Sequence, residues 1–190
     1  MHIVSDAMGS GLVRLFGLGL IALALGACAS MSEKDCLSAD WGEQGYRDGR
    51  DGHPPSRIAD HGEACAKVGV TPDVLRYRAG RDEGVREYCT PANAVSEGRR
   101  GRNYRNACPA RLESMFLHYR AQGYRAYQAQ QRVDSLGRDL QRAQRALDKE
   151  KDEERRRRLR TELRQLDRSL SRARSDLRDE ERRLRLLDAP

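Results

Sequence analysis

Aromatic residues are scarce in this 190-residue chain: two Phe, one Trp and seven Tyr make up 5% of it. Charged residues, by contrast, account for 34%. So few large apolar side chains cannot fill one core for a chain of this length, which excludes a single large globule. We therefore expect a small core together with an elongated part. The net charge of +7 favours acidic partners.

Strand-like alternation and common catalytic motifs are also missing. No run of four or more residues combines alternating apolar and polar positions with β-branched residues. An all-α fold is therefore predicted. No Gly-x-Ser-x-Gly or His-Glu-x-x-His motif occurs. Asp60 and His61 are the best acid–base candidates, but neighbours on a helix point about 100° apart. We expect no enzyme, cofactor or metal site, and we interpret the histidines as surface or capping residues.

No apolar run is long enough to cross a bilayer. The N-terminal run, Leu15–Ala27, follows Arg14 and is shorter than the roughly 20 residues that a spanning helix needs. Its length is typical of a signal peptide over residues 1–27, starting at Met1 or Met8. The run ends in Leu-Gly-Ala before Cys28, which resembles the bacterial lipobox. The resemblance implies cleavage before Cys28 and acylation of that residue.

Ala29, rather than Asp, follows the proposed lipid attachment site. By the sorting pattern of such lipoproteins, this resembles export to the outer membrane. The acyl chains would then hold the mature chain on the membrane, facing the periplasm. Nucleic acid is excluded as a partner in that compartment, although the basic run Arg155–Arg160 has the composition of a nucleic-acid patch.

Four further cysteines fall within residues 36–108. An even number in an oxidising compartment predicts two disulfides, and three pairings are possible. Their spacings exclude a Cys-x-x-Cys metal site. We therefore predict a linker over 28–35, a stapled helical domain over 36–123 and a cysteine-free tail over 124–190. The disulfide candidates are Cys36, Cys65, Cys89 and Cys108.

Helix-start signals recur through the stapled domain. A Ser or Thr at the N-cap, or Pro at the first helical position, marks each start. Gly69 is a plausible helix stop. The pattern predicts four short helices followed by a long one, with starts at Ser38, Ser56, Thr71-Pro72, Thr90-Pro91 and Cys108-Pro109.

Glycines recur inside these helical segments in a Tyr-x-x-Gly-Arg pattern. Glycine in a helix costs about 1 kcal/mol relative to alanine, so close helix packing is the expected reason. A phosphate-binding loop is excluded, because no strand precedes these glycines. An anion or glycan groove is the alternative, lined by Arg50, Arg81 and Arg99. The predicted packing positions are Tyr46, Gly49, Tyr77, Gly80 and Gly98; Gly45, Gly84 and Gly101 lie in the same helical segments, and Gly123 ends a looser fourth repeat.

The stretch from residue 35 to residue 109 resembles a known family. It combines the Tyr-x-x-Gly-Arg repeats with "DH…C" at 60–65, "REYCTP" at 86–91 and "CP" at 108–109. These features are similar to the bacterial lipoproteins grouped as domain of unknown function 2799. The family has no assigned activity, so the resemblance implies a location and a domain but no mechanism.

The tail has the spacing of a coiled coil. Apolar residues follow heptad steps from Val133 to Leu147, and a second, out-of-phase series runs from Leu159 to Leu187. Either one continuous helix with a phase slip or an antiparallel hairpin turning near 149–152 fits this pattern. We favour the hairpin, with Asp152 capping its second arm. The lack of Gly, Pro or Asn at the turn argues against it.

The strongest signals together favour a structural or interaction lipoprotein. Residues 125–190 hold 20 Lys and Arg against 14 Asp and Glu. The expected partners are an envelope protein or a second copy, bound through the coiled coil. Anionic envelope polymers, such as peptidoglycan or lipopolysaccharide, are the alternative.

Overall fold

A computed structural model describes residues 30–187, and this part of the chain is helical without any strand. The predicted all-α class is confirmed. No helix within the described range is long and apolar enough to cross a membrane. The helices are α1 (Glu33–Leu37), α2 (Trp41–Arg50), α3 (Arg57–Ala66), α4 (Val74–Tyr88), α5 (Pro91–Arg99), α6 (Ala110–Lys149) and α7 (Glu153–Leu187).

The described chain divides into two compact units. The first contains residues 30–40 and Ser56–Asp73, and therefore α1 and α3. The disulfide between Cys36 and Cys65 joins these two helices, with a Cα–Cα distance of 5.4 Å. The second unit contains Trp41–Pro55 and all described residues from Val74 onward.

Several helix starts agree with the sequence prediction. The Thr90 hydroxyl accepts a hydrogen bond from the Asn93 amide at 3.3 Å, which caps α5. Pro109 is the N-cap of α6. Ser56 is the N-cap of α3, although its side chain makes no capping bond. Gly69 has a φ of +72° beyond the end of α3, in line with a stop signal.

Two predicted helix starts were wrong. Ser38 does not begin a helix: it is the C-cap of α1, a short helix that the sequence did not predict. Ser32 caps α1 instead, accepting from the Asp35 amide at 3.2 Å. Thr71 lies within a non-helical stretch over residues 67–73, and α4 begins only at Val74. Ser and Thr stabilise turns as well as helix caps, so their presence alone does not fix a boundary.

The second unit has its apolar core where α4, α5 and α6 meet. Tyr88 stacks on Phe116 with ring centroids 5.0 Å apart, and Phe116 is fully buried. The disulfide between Cys89 and Cys108 closes this core, with a Cα–Cα distance of 5.8 Å. Two disulfides were predicted, and the structure selects one of the three pairings that the sequence allowed.

The tail forms a hairpin, as favoured from the sequence. α6 and α7 pack on each other in antiparallel order. At the far end of the hairpin, Nε of Arg125 lies 3.4 Å from a carboxylate oxygen of Glu180. α6 runs without a break from 110 to 149, so it crosses the predicted domain boundary at 123/124.

The hairpin turns without Gly, Pro or Asn because backbone carbonyls and amides find side-chain partners. Glu150 has extended backbone angles, so no left-handed residue is required. Its carboxylate accepts from the amides of Asp152 and Lys151, which lowers the pKa of Glu150. Arg156 donates to the carbonyl of Leu147 at 3.1 Å, which satisfies the end of α6. The Asp152 carboxylate accepts from the Arg155 amide at 2.9 Å, the cap predicted for α7.

Candidate functional site

Glycines from α2 and α4 bring the backbones of these two helices into contact. A Cβ atom on Gly49 would lie 2.5 Å from the Arg81 carbonyl oxygen. One on Gly84 would lie 2.7 Å from the Arg50 amide nitrogen. Real Cβ atoms do not approach main-chain atoms this closely, so only glycine allows the crossing. Gly45 and Gly80 meet the opposite backbone in the same way.

α5 and α6 cross by the same design. A Cβ atom on Gly98 would lie 2.7 Å from the Tyr124 amide nitrogen, and one on Gly123 would lie 3.0 Å from the Arg99 amide nitrogen. The structure therefore places Gly98 at a packing position, as expected. Gly123, assigned only to a looser repeat, is its partner in the crossing.

In each crossing pair, a tyrosine ring covers the glycine that follows the first helix, α2 or α5. Gly52, after α2, lies under the ring of Tyr88, and Gly101, after α5, lies under the ring of Tyr127. Both glycines have positive φ angles, +68° and +69°. Gly101 was expected inside a helix, which was wrong, because the left-handed conformation ends α5 before it. The two helix pairs thus repeat one arrangement.

A buried carboxylate lies directly before a crossing glycine in each pair. Asp48, 5% exposed, accepts a hydrogen bond from the Tyr77 hydroxyl at 2.6 Å. Glu97, 6% exposed, forms an ion pair with Arg102 at 3.1 Å. Sequence reasoning missed both acids. Their place before the glycine of a repeat was the available signal, but acids are common on exposed helix faces.

The three arginines of the proposed groove have different environments. Arg81 is 8% exposed and donates to the carbonyls of His53 and Ala107 at 3.0 and 2.9 Å, so it joins two loops rather than facing solvent. Arg50 is exposed and lies over the Tyr46 ring at 5.6 Å. Arg99 lines a surface cavity of about 450 Å³ that includes neither of the others. Anion binding stays a prediction.

The described histidines include one that is not at the surface. His61 is 1% exposed, and its Nδ1 lies 2.8 Å from the Ser30 hydroxyl oxygen. The expectation of surface or capping histidines was therefore wrong for His61. No group of His, Cys, Asp and Glu within residues 30–187 could hold a metal ion. The proposed acylation site, Cys28, lies outside the described residues.

The pKa of Tyr88 depends on the folding of the second unit, because its side chain is buried there. Burial, and then the nearby Glu97 charge, raises the pKa of Tyr88 to about 12. The neutral phenol is thus favoured in the folded state, so this contribution to stability is complete below pH 10 and is lost as pH rises towards 12.

We expect the free energy of unfolding to fall between pH 9 and pH 11.5 by about 2 kcal/mol less in Tyr88→Phe than in the native chain. Urea unfolding at both pH values measures this difference. Equal pH dependence in the two proteins would contradict the assignment.

Comparison with known families gives a match over part of the chain. Residues 40–125 match a family model described as "Protein of unknown function (DUF2799)". The match starts just before α2 and ends within α6, so it includes both glycine crossings. No curated protein and no solved structure matches the chain. The family resemblance noted from the sequence is therefore confirmed over residues 40–125, which include both glycine crossings.

Proposed function

We propose that the protein is an outer-membrane lipoprotein, anchored through Cys28, that binds other envelope components with its helical hairpin. The N-terminal sequence supports the anchor, because a lipobox-like motif follows an apolar run of signal-peptide length. Both disulfides support an oxidising compartment such as the periplasm. Its molecular role in this proposal is structural, with no chemical step.

The hairpin is the observation that carries the interaction role. α6 has 40 residues and is about 60 Å long, and only its first part packs on α5. Beyond that part, α6 and α7 pack on each other, and most of their outer surface is charged. Apart from the end of α7, where Leu184 packs with Val95 and Ala126, this arm adds little to the core of the domain. It is well suited to present a large surface to a partner.

The start of the described fold supports a short connection to the membrane. Ser30 contacts the buried His61, and it is only two residues after Cys28. Two extended residues span about 7 Å at most. Acyl chains on Cys28 would therefore keep the first unit, which contains both Ser30 and His61, at the membrane surface.

Replacing Cys28 should separate the protein from the membrane. Cys28→Ser removes the thiol that would carry the lipid, so we expect loss of acylation and loss of the processed protein from outer-membrane fractions. Fractionation of cells, with immunoblotting of each fraction, measures this. The proposal fails if Cys28→Ser is still processed and still fractionates with outer membranes.

Ala29→Asp is a matched control for this experiment. It leaves the thiol in place, so acylation should persist. By the sorting pattern that the lipobox resemblance implies, the protein should move to the inner-membrane fraction. Membrane association of Ala29→Asp together with release of Cys28→Ser would show that the cysteine, rather than the folded domain, provides the anchor.

A further inference from the structure

The outer face of α7 carries a continuous row of six exposed arginines. At about 100° per residue, these side chains fall within a sector of the helix about 120° wide. The row is about 32 Å long, because an α-helix rises about 1.5 Å per residue. We call this set the arginine row; its members are Arg157, Arg160, Arg164, Arg168, Arg172 and Arg178.

The arginine row lies on the side of α7 that faces away from α6. The buried residues of α7 are Leu170, Ala173 and Leu184. Helical geometry places these three residues about 180° from the middle of the row. Packing within the hairpin therefore leaves the row open to solvent along its whole length.

No acidic residue lies within this sector between residues 157 and 178. The other residues of the sector carry hydroxyl groups; they are Thr161, Ser171 and Ser175. The acids of the same segment lie outside the sector; they are Glu162, Asp167 and Asp176. The row is therefore a surface of one charge sign on a helix that contains both signs.

The charges of the row are also uncompensated by ion pairs. Within residues 30–187, none of the six arginines forms an ion pair. Arg164 and Arg172 each donate to a neighbouring hydroxyl, which leaves their charge in place. Arginines elsewhere on α7 pair with an acid three or four residues away; these are Arg155, Arg158, Arg182 and Arg183.

The composition of the row distinguishes between classes of partner. The centre of a protein interface is enriched in apolar and aromatic residues, and a helix that adsorbs to lipid does so through an apolar face. The row has no apolar or aromatic residue between 157 and 178. Two copies of the chain cannot pair row against row, because arginine would face arginine. These properties fit a hydrophilic polyanion.

We propose that the arginine row binds a linear anionic polysaccharide, which lies along α7. Successive arginines are separated along the helix axis by about 4.5–9 Å. A sugar chain with acidic groups at similar intervals meets one arginine after another. The row contains arginine and no lysine, and the planar guanidinium forms paired hydrogen bonds with carboxylate and phosphate groups. The hydroxyls of Ser171 and Ser175 can bond to sugar hydroxyls between these charges.

This inference rests on the interaction role proposed for the hairpin, for which it names a surface and a partner. It does not depend on the lipid anchor. The complete mature chain, carrying Cys28→Ser so that it is unlipidated, is therefore suitable for a binding assay in solution.

Fluorescence anisotropy with labelled polygalacturonate oligosaccharides tests the proposal. Each sugar of this probe carries a carboxylate, and its fully methyl-esterified form is a matched neutral ligand. We expect binding of polygalacturonate at about 0.1 M salt, where charges are screened over about 10 Å, and weaker binding as salt rises. The neutral ester should not bind.

Removing three adjacent charges should weaken this binding. Arg160→Gln, Arg164→Gln and Arg168→Gln combined should raise the dissociation constant at least about 10-fold, because three of the six charged contacts are lost. Glutamine and arginine have similar helix propensities, and these side chains are exposed, so the variant should fold like the native chain. Circular dichroism melts check this.

A second triple variant removes the same charge from outside the row. Arg47→Gln, Arg142→Gln and Arg183→Gln lie in the same compact unit, and each arginine pairs with an acid on its own helix. These positions are distributed over α2, α6 and the end of α7. The dissociation constant should therefore change less than about 2-fold, since screening limits the effect of distant charges.

Three results would overturn the proposal. They are no binding of polygalacturonate up to about 100 µM protein, equal weakening by the two triple variants, and tighter binding to vesicles than to polygalacturonate. The vesicles contain equal parts of phosphatidylcholine and phosphatidylglycerol, and the third result would assign the row to a membrane surface. Because the assay uses unlipidated protein, its failure and a failure of the Cys28 anchor are distinguishable.

Discussion

Gly84→Ala is expected to lower the free energy of unfolding by about 3 kcal/mol, the upper end of ordinary overpacking. Alanine favours helices over glycine by about 1 kcal/mol, so a helix-propensity argument alone predicts the opposite sign. Packing wins because the added Cβ atom would overlap the carbonyl of Tyr46 and lie 2.7 Å from the amide nitrogen of Arg50. Main-chain atoms inside α2 cannot move aside without separating α2 from α4.

Urea unfolding of the native chain and of Gly84→Ala measures this loss. Gly137→Ala is a control in the same compact unit. Its Cβ atom meets nothing, so it should leave stability unchanged or raise it by up to about 1 kcal/mol. Gly84→Ala as stable as the native chain would mean that the glycine crossing does not hold α2 against α4.

Removing the second disulfide is expected to have an effect of similar size. Cys89→Ala combined with Cys108→Ala opens a loop with a sequence separation of 19 residues. The chain-entropy relation gives about 3 kcal/mol for a loop of this length. Both cysteines are also buried in the core that contains Phe116 and Ala107, so the alanines leave small cavities that add to the loss.

The double replacement avoids a free thiol that could form wrong pairs. Thermal melts should show a fall in the melting temperature of the second unit, and non-reducing mass mapping should retain the Cys36–Cys65 bond. The same replacement at Cys36 and Cys65 is the matched variant for the first unit. A double variant that melts like the native chain, or a native chain with free thiols at these positions, would contradict the disulfide assignment.

Helices and the hairpin were predictable because their signals are local. Thr90-Pro91 and Cys108-Pro109 mark helix starts through preferences that act within one turn. The hairpin followed from an out-of-phase leucine pattern, although the turn carries no standard turn residue. Glu150 and Arg156 complete that turn by hydrogen-bonding to its backbone amides and carbonyls. A list of turn-forming residues does not include such side-chain bonds.

Contacts between distant residues were the part that sequence could not supply. The glycine repeats indicated packing, but nothing in the sequence pairs Gly49 with α4 or Gly98 with α6. The buried acids, Asp48 and Glu97, look like surface carboxylates until the opposite helix is in place. The disulfide pairing was open for the same reason, since spacing alone allows three arrangements.

The lipid anchor is the central claim of the proposed function, because the outer-membrane location and the periplasmic compartment depend on it. The most direct test is mass spectrometry of the N-terminal peptide of the protein isolated from its native membranes. The account predicts a peptide that begins at Cys28 and carries acyl chains on that residue. A native N terminus elsewhere, or an unmodified Cys28, would contradict it.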